Sequence, residues 1–312
     1  MKFWDRVFPS GSVISILGGL GFALWTLAPA AAAPEATGPH KIGDDLYAFI
    51  SADDASCNAS FLVGPRGILV VDTGFNQEAG ERLLRAIREV SDLPVRIIIN
   101  THYHPDHQAA NAVVGPDSTV ISTGWTRART RQFLSSQSAV GESAGQQTLL
   151  DLNHYRLADI TFSDRLTLHL GEHDVEVFFQ GKAHTSGDAL VYFPDQRAIA
   201  TGDLFLTRSC PAMDQGSVSN WVVILDAILA RPLETVIPGH FELSSPKQLR
   251  RFRNYLADLI EEVGQLRNAG ASLQEVRRRL RLSRYADFRQ YPRYHATFAD
   301  NAEVVFRELE KR

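Results

Sequence analysis

The stretch Val95-Arg96-Ile97-Ile98-Ile99-Asn100-Thr101-His102-Tyr103-His104-Pro105-Asp106-His107 decides how the rest of the chain is read. Its first part, Val95–Ile99, is a short β-branched run of the kind buried inside a sheet. Its second part sets His102, His104, Asp106 and His107 directly after that strand. In an extended segment, side chains two apart face the same side, so His102 and His104 can aim at one point. Where the chain then turns into a helix, Asp106 and His107 project from the first turn toward a second point beside it. Imidazole suits zinc, and a carboxylate adds a hard ligand while lowering the net positive charge.

Toward the N-terminus, Asn58–Val63 and Ile68–Asp72 are apolar runs joined by Gly64-Pro65-Arg66-Gly67, a hairpin with its turn chemistry in place. The free ends of a hairpin lie together, which puts Cys57 and Asp72 at one sheet edge. Before it, Pro34–Gly43 reads as a linker and Asp44–Ala52 as a first strand; after it, Gln77–Val90 has helical spacing. Toward the C-terminus come an Arg-rich helix near Thr126–Ser136, strands from Thr161 to Ala200, a helix over Ser217–Leu229 and a strand at Thr235–Ile237. Pro246–Arg312 reads as helical. Two successive blocks of strands, each ending in helices, fit a layered α/β sandwich better than a barrel. Three further polar residues fall where strands end: His184 in Gly181–Asp188, Asp203 in Thr201-Gly202-Asp203, and His240 in Pro238-Gly239-His240. Each alone is an ordinary polar residue or turn. Their joint order, cluster then His then Asp then His, is what gives them weight.

That order resembles the metallo-β-lactamase superfamily over roughly Leu46 to His240. The resemblance implies an α/β fold, a four-layered αβ/βα sandwich over residues 44–245, followed by a C-terminal helical extension at 246–312. It implies that His102, His104 and His184 hold one zinc, that Asp106, His107 and His240 hold a second, and that Asp203 bridges them, giving two Zn2+ per chain. Val70-Val71-Asp72-Thr73-Gly74 matches the family's early aspartate motif, in which Asp72 supports the site without binding metal. The implied enzyme is a hydrolase that cleaves an ester, thioester, lactone or amide bond of a small molecule by a metal-bridging hydroxide. Zinc lowers the pKa of bound water to about 7, and Asp106 orients that hydroxide and handles its proton. Penicillin-hydrolysing members commonly carry a cysteine where this chain has Asp203, which places a class B β-lactamase second. A persulfide dioxygenase, similar in sequence but using one iron held by two histidines and an aspartate, is a further alternative. Phe241 departs from the glycine often found after the last histidine and is read as either lining the substrate pocket or packing, with packing slightly favoured. No substrate-binding residue is assigned.

The composition of the 312 residues, 44% apolar and 22% charged, is that of one large globular domain with extensions. A net charge of −4 provides no overall basic field for nucleic acid. Lys2 and Arg6, the apolar run Val13–Leu27 and the alanines Ala30–Ala33 have the order of a secretory signal over residues 1–33, with cleavage expected after Ala30 or Ala32. The expected location is therefore the periplasm or the medium, with membrane contact only through an uncleaved signal. Cys57 and Cys210 are expected near each other at the rim of the site, either bridged, as an oxidising compartment permits, or both free and buried. His40, His154, His169, His173 and His295 are read as surface residues. Arg277, Arg278, Arg279, Arg281 and Arg284 are read as the solvated face and C-terminal end of a helix.

Overall fold

A computed structural model describes residues 38–53, 55–144, 154–292 and 295–311, with the backbone alone for 137–144. The secretory signal predicted at residues 1–33 lies outside the described residues. Strands β1 (His40–Lys41), β2 (Leu46–Phe49), β3 (Ala59–Gly64), β4 (Gly67–Val71), β5 (Val95–Ile99), β6 (Thr119–Thr123) and β7 (Ile160–Phe162) form one sheet in that spatial order. The first four are antiparallel, and β4 through β7 are parallel. A second sheet has the order β12-β11-β10-β9-β8, built from β8 (Arg165–Leu170), β9 (His173–Phe179), β10 (Ala189–Phe193), β11 (Ala198–Ala200) and β12 (Thr235–Ile237).

Alternation along single strands produces the layering. In β4, Leu69 and Val71 enter an apolar cluster shared with Val175, Val177, Val191 and Phe193 of the second sheet. Ile68 and Val70 face the other way, onto Leu83, Ala86 and Ile87 of helix α1 (Gln77–Arg88). A strand whose two faces are both buried must be apolar throughout, and Gly67–Val71 is buried at every position. The outer face of the second sheet contributes Phe178, Leu190, Tyr192 and Ile199 to a third cluster, under the C-terminal half of the chain. The order across the molecule is helix, sheet, sheet, helix, the four-layered sandwich.

Between β5 and β6 lie two short helices, α2 (Pro105–Gln108) and α3 (Asn111–Val114); the long helix α4 (Gly124–Ala144) follows β6. Helices α5 (Val218–Leu229), α6 (Pro246–Asn268), α7 (Leu273–Arg279) and α8 (Phe298–Leu309) cover the second sheet. The segment from Pro246 onward shares one core with that sheet: Phe252 and Tyr255 of α6 and Val305 of α8 join Trp221 of α5 and Leu190 of β10. Trp221, fully buried, also donates its indole N–H to the Leu204 carbonyl, 2.9 Å away.

Two local expectations are corrected. The linker predicted at Pro34–Gly43 contains β1, because His40 and Lys41 pair with Ala48 and Tyr47. Of the five histidines read as surface residues, His169 is exposed, whereas His40, His154, His173 and His295 are half-buried. His173 is drawn inward by two carboxylates, its Nδ1 lying 3.2 Å from Asp195 and its Nε2 3.4 Å from Asp45. The arginines of 277–284 are exposed as expected, with Arg277 paired to Glu303 and Arg284 to Asp258. Among the described residues, no helix is long and apolar enough to cross a membrane.

Candidate metal centre

Every sequence-predicted ligand sits on a connection leaving a strand end, those after β5 from the first sheet and those after β9, β11 and β12 from the second. Strand β5 ends in Asn100-Thr101 and delivers His102 and His104; Pro105 at the first helical position turns the chain into α2, which carries Asp106 and His107. Strand β9 leads to His184, β11 to Asp203 and β12 to His240. The loop after β12 is held from the other sheet. Asn58, just before β3, donates its backbone N–H to the Gly239 carbonyl at 2.7 Å. Its side-chain amide donates to the carbonyls of Pro238, at 3.0 Å, and Phe241, at 2.7 Å. Gly239 permits a close approach that no other residue could, since a Cβ there would overlap the Asp203 carboxylate.

The structure brings these residues into two groups. His102, His104, His184 and Asp203 form the first, all buried, with ligand atoms within 4.8 Å of one another; Asp106, His107 and His240 form the second. In the first, His102 Nε2 and His184 Nε2 lie 3.0 and 3.1 Å from His104 Nδ1. Ligands 2.0–2.1 Å from a tetrahedral ion stand about 3.3 Å apart, so the three ring nitrogens have the spacing a metal requires. In the second, His240 Nε2 is 3.0 Å and His107 Nε2 is 3.5 Å from Asp106 Oδ2. Asp203 faces both groups: Oδ2 is 3.5 Å from His184 Nε2, while Oδ1 is 3.2 Å from His107 Nε2 and 3.5 Å from His240 Nε2. The buried His107 Nε2 and Asp203 Oδ1 find no hydrogen-bond partner among the described residues. Buried polar atoms left without partners are costly in a native fold, and a cation between them would satisfy both.

For four of the five histidines the nitrogen facing away from the centre is engaged, which fixes the tautomer. His184 Nδ1 lies 3.0 Å from the Ala212 carbonyl, which can only accept, so the proton sits there and Nε2 is free to bind metal. His107 Nδ1 is 2.8 Å from Asp72 Oδ2. Asp72 also accepts from the Thr101 backbone N–H at 2.8 Å and the Thr101 hydroxyl at 2.7 Å. With its own proton given to Asp72, Thr101 Oγ1 can accept from His102 Nδ1, 3.1 Å away. Asp72 thus anchors two histidines from behind, and it does so at φ 58°, a conformation that aspartate tolerates better than most residues.

Electrostatics divide the two groups. Burial and the neighbouring His107 and His104 hold His102 well below the usual histidine range. Burial lowers His104 against the pull of Asp106, and takes His184 down to about 3 despite Asp203. The three histidines of the first group are therefore neutral at pH 7. On the other side, burial opposes the charged form of His107, but the carboxylates of Asp106, Asp203 and Asp72 raise it well above that range. For His240, Asp203 and Asp106 likewise outweigh burial and raise it. Burial would raise both aspartates, yet His240 and His107 hold Asp203 well below the carboxylate range, and His107 and His240 lower Asp106.

This edge-of-sheet arrangement of histidines and aspartates agrees with what comparison with known proteins finds. The family profile described as the Metallo-beta-lactamase superfamily matches residues 52–240. The chain belongs to the metallo-beta-lactamase superfamily. It is 21% identical over 285 residues to the linear primary-alkylsulfatase of Pseudomonas sp. (strain ATCC 19151), covering 78% of this chain and 53% of that protein. It is 21% identical over 240 residues to the metallo-beta-lactamase type 2 of Elizabethkingia meningoseptica, covering 73% and 87%. Among solved structures, the inverting sec-alkylsulfatase Pisa1 from Pseudomonas sp. superposes with a TM-score of 0.66 at 14% identity, covering 86% of this chain and 50% of that one. The metallo-beta-lactamase from Pontibacter korlensis superposes with a TM-score of 0.55 at 20% identity, covering 70% and 98%. The chain spans about half the length of the alkylsulfatases it matches.

Around this candidate metal centre the chain carries site residues that its spacing does not reveal. Gln215 is the foremost: its Oε1 lies 3.0 Å from His104 Nε2 and also accepts from the Tyr103 hydroxyl. An amide oxygen there keeps the proton on Nε2 and leaves Nδ1 free for metal. Nothing in Met213-Asp214-Gln215-Gly216 marks it, because the contact spans a loop more than a hundred residues away. Gln215→Leu is expected to weaken metal binding about 10- to 100-fold, the usual effect of losing a partner that orients a ligand. Competition with a chromophoric chelator measures this, and unchanged affinity would remove Gln215 from the site.

Phe241 packs as expected, stacked on Tyr291 with ring centres 5.8 Å apart and beneath Arg289 at 4.5 Å. Its φ of 71° explains why glycine is often found at this position, since bulky residues rarely adopt that conformation. Of the two alternatives for Cys57 and Cys210, the structure has both thiols free and buried, but not side by side at the rim as expected. Cys57 lies against Asp72 and His107 under the second group. Cys210 is carried away because its segment pairs with Arg289, the Cys210 N–H donating to the Arg289 carbonyl at 2.9 Å, and it is buried in the C-terminal core cluster instead. Burial pushes each thiol up to about 12, so neither is a thiolate at neutral pH.

Proposed function

We propose that this protein is a binuclear zinc hydrolase that cleaves an ester, thioester, lactone or amide bond of a small molecule. The observation that carries this reading is the double-sided Asp203, with one oxygen toward each group of ligands. A one-metal centre has no use for a carboxylate so placed, nor for His107 and His240 together, which disfavours the single-iron dioxygenase. Zinc, when bound, supplies an acidified water and polarises the bond under attack. The chain's own residues do the rest. Gln215, Thr101, Asp72 and the Ala212 carbonyl hold the histidine tautomers. Asp106, beside His240 and His107, is assigned to hold and return the proton of the attacking water.

The relatives favour a particular second reading. The likeness to the alkylsulfatase spans 78% of this chain, well beyond the residues matched by the superfamily profile, so a sulfate ester belongs on the substrate panel beside a β-lactam. We further propose that the enzyme acts after export, as the pattern of residues 2–33 suggests.

Elemental analysis of protein produced in metal-replete medium is expected to approach two zinc per chain. The zinc-loaded protein is expected to turn over at least one of a lactone, thioester, carboxylic ester, β-lactam or sulfate ester. One equivalent of iron without zinc would overturn the assignment.

A further inference from the structure

Beside the first group of ligands lies a cation without an acid. Arg129, on the second turn of α4, is half-buried, and its guanidinium stands over the Tyr103 ring, 5.2 Å from the centroid. Among the described residues it forms no ion pair; it donates to Gln132 Oε1 at 2.8 Å and also lies against the Tyr103 hydroxyl. Several other arginines are paired with acids, among them Arg251 with Asp287, Arg253 with Asp226 and Arg289 with Glu242. The carboxylates whose charge bears on the Tyr103 hydroxyl are Asp214 and Asp188. Asp188 is already committed to the backbone and hydroxyl of Thr185, and neither aspartate pairs with Arg129.

Tyr103 ties this cation to the metal centre. It stands between His102 and His104, and its hydroxyl shares the Gln215 oxygen with His104 Nε2. The distance from guanidinium to candidate ligand is thus that of one tyrosine and one amide. The face is also open to solvent, since Trp125, one turn earlier on α4, is 58% exposed.

We propose that Arg129 and Tyr103 form a subsite for an oxyanion carried by the substrate, a carboxylate or a sulfo group, apart from the bond that is cleaved. This rests on the hydrolase reading above and names its substrate class: small molecules bearing an anionic group. Half-burial lowers the solvation of Arg129, and its planar fork suits two oxygens of one oxyanion. The tyrosine below it restricts its rotamers before substrate arrives, while the phenol's own proton is donated to Gln215.

Binding is measured by calorimetry on the zinc-loaded protein, with hexanoate and hexanesulfonate as uncleavable anions and 1-hexanol as the neutral probe. The wild type is expected to bind at least one anion about tenfold or more tightly than the alcohol, as one charge-assisted contact allows. Arg129→Gln is expected to abolish that preference while keeping its zinc, Arg129→Lys to restore part of it, and Tyr103→Phe to reduce it. Hexanoate and hexanesulfonate separate the two kinds of oxyanion. An absent preference overturns the proposal, as does one that survives in Arg129→Gln, because the anion would then be held by the metals alone. In turnover, the ratio of kcat/KM for anionic over neutral esters is expected to fall toward one in Arg129→Gln. Turnover without selectivity removes this subsite only, whereas a zinc-loaded protein that hydrolyses nothing removes the hydrolase reading itself.

Discussion

Asp203→Ala will fold, keep zinc on the three-histidine side, lose it from the other side, and hydrolyse substrate about a thousandfold more slowly. The reasoning starts from the two carboxylate oxygens. Oδ1 lies 3.2 Å from His107 Nε2 and 3.5 Å from His240 Nε2, so its loss leaves two histidines and Asp106 to hold an ion that also needs charge neutralisation. The first side keeps three ring nitrogens whose spacing does not depend on Asp203. One ion's contribution to a developing negative charge is several kcal/mol, and about 4 kcal/mol corresponds to a thousandfold in rate. Folding should survive because the aspartate sits at the edge of the sandwich, outside its three apolar clusters. Stoichiometry by elemental analysis, read beside kcat/KM, tests this. Two zinc per chain with full activity in Asp203→Ala would remove the bridging role.

The second large effect is a difference in pH dependence between the two sides. His102, His104 and His184 are lowered, chiefly by burial, and already present free lone pairs at neutral pH. His107 and His240 are raised by the carboxylates around them and carry protons that a metal must displace. Metal binding to a protonated ligand releases that proton, so affinity rises with pH by up to tenfold per unit for each proton released. Below the raised pKa values of His107 and His240, the second side should therefore gain up to about a hundredfold in affinity per pH unit. The first side should be nearly flat above the ordinary histidine range. Stepwise zinc titration against a competing chelator at several pH values separates the two. Equal slopes for both steps would contradict the division of charge described for the apo site.

How much of this was legible beforehand follows from the range of each interaction. The hairpin at Gly64–Gly67 and the buried strand Val95–Ile99 are local in sequence, and both form as read. The candidate ligands stand out because they fall at strand ends, and the ends of β5 in one sheet and of β9, β11 and β12 in the other bring them into two adjacent groups. Gln215 was not found, since its role depends on a loop returning across the site to His104 and Tyr103. The misplaced Cys210 has the same origin. Its position seven residues after Asp203 suggested the metal edge, but pairing with Arg289, some eighty residues on, turned the segment into the helical layer. The short strand His40–Lys41 was missed because two residues carry no periodicity to read.

Asn58 belongs to the first sheet, yet its backbone and side chain hold the Pro238–Phe241 loop that presents His240. The two halves of the centre are thereby fastened by neutral amides that do not titrate and do not depend on any ion. Ordering of that loop is then complete before a metal arrives, and the entropy of fixing it does not count against affinity. Such a centre can exchange its ions while the scaffold stays in place, leaving occupancy to follow the metal supply of the surroundings rather than the history of folding.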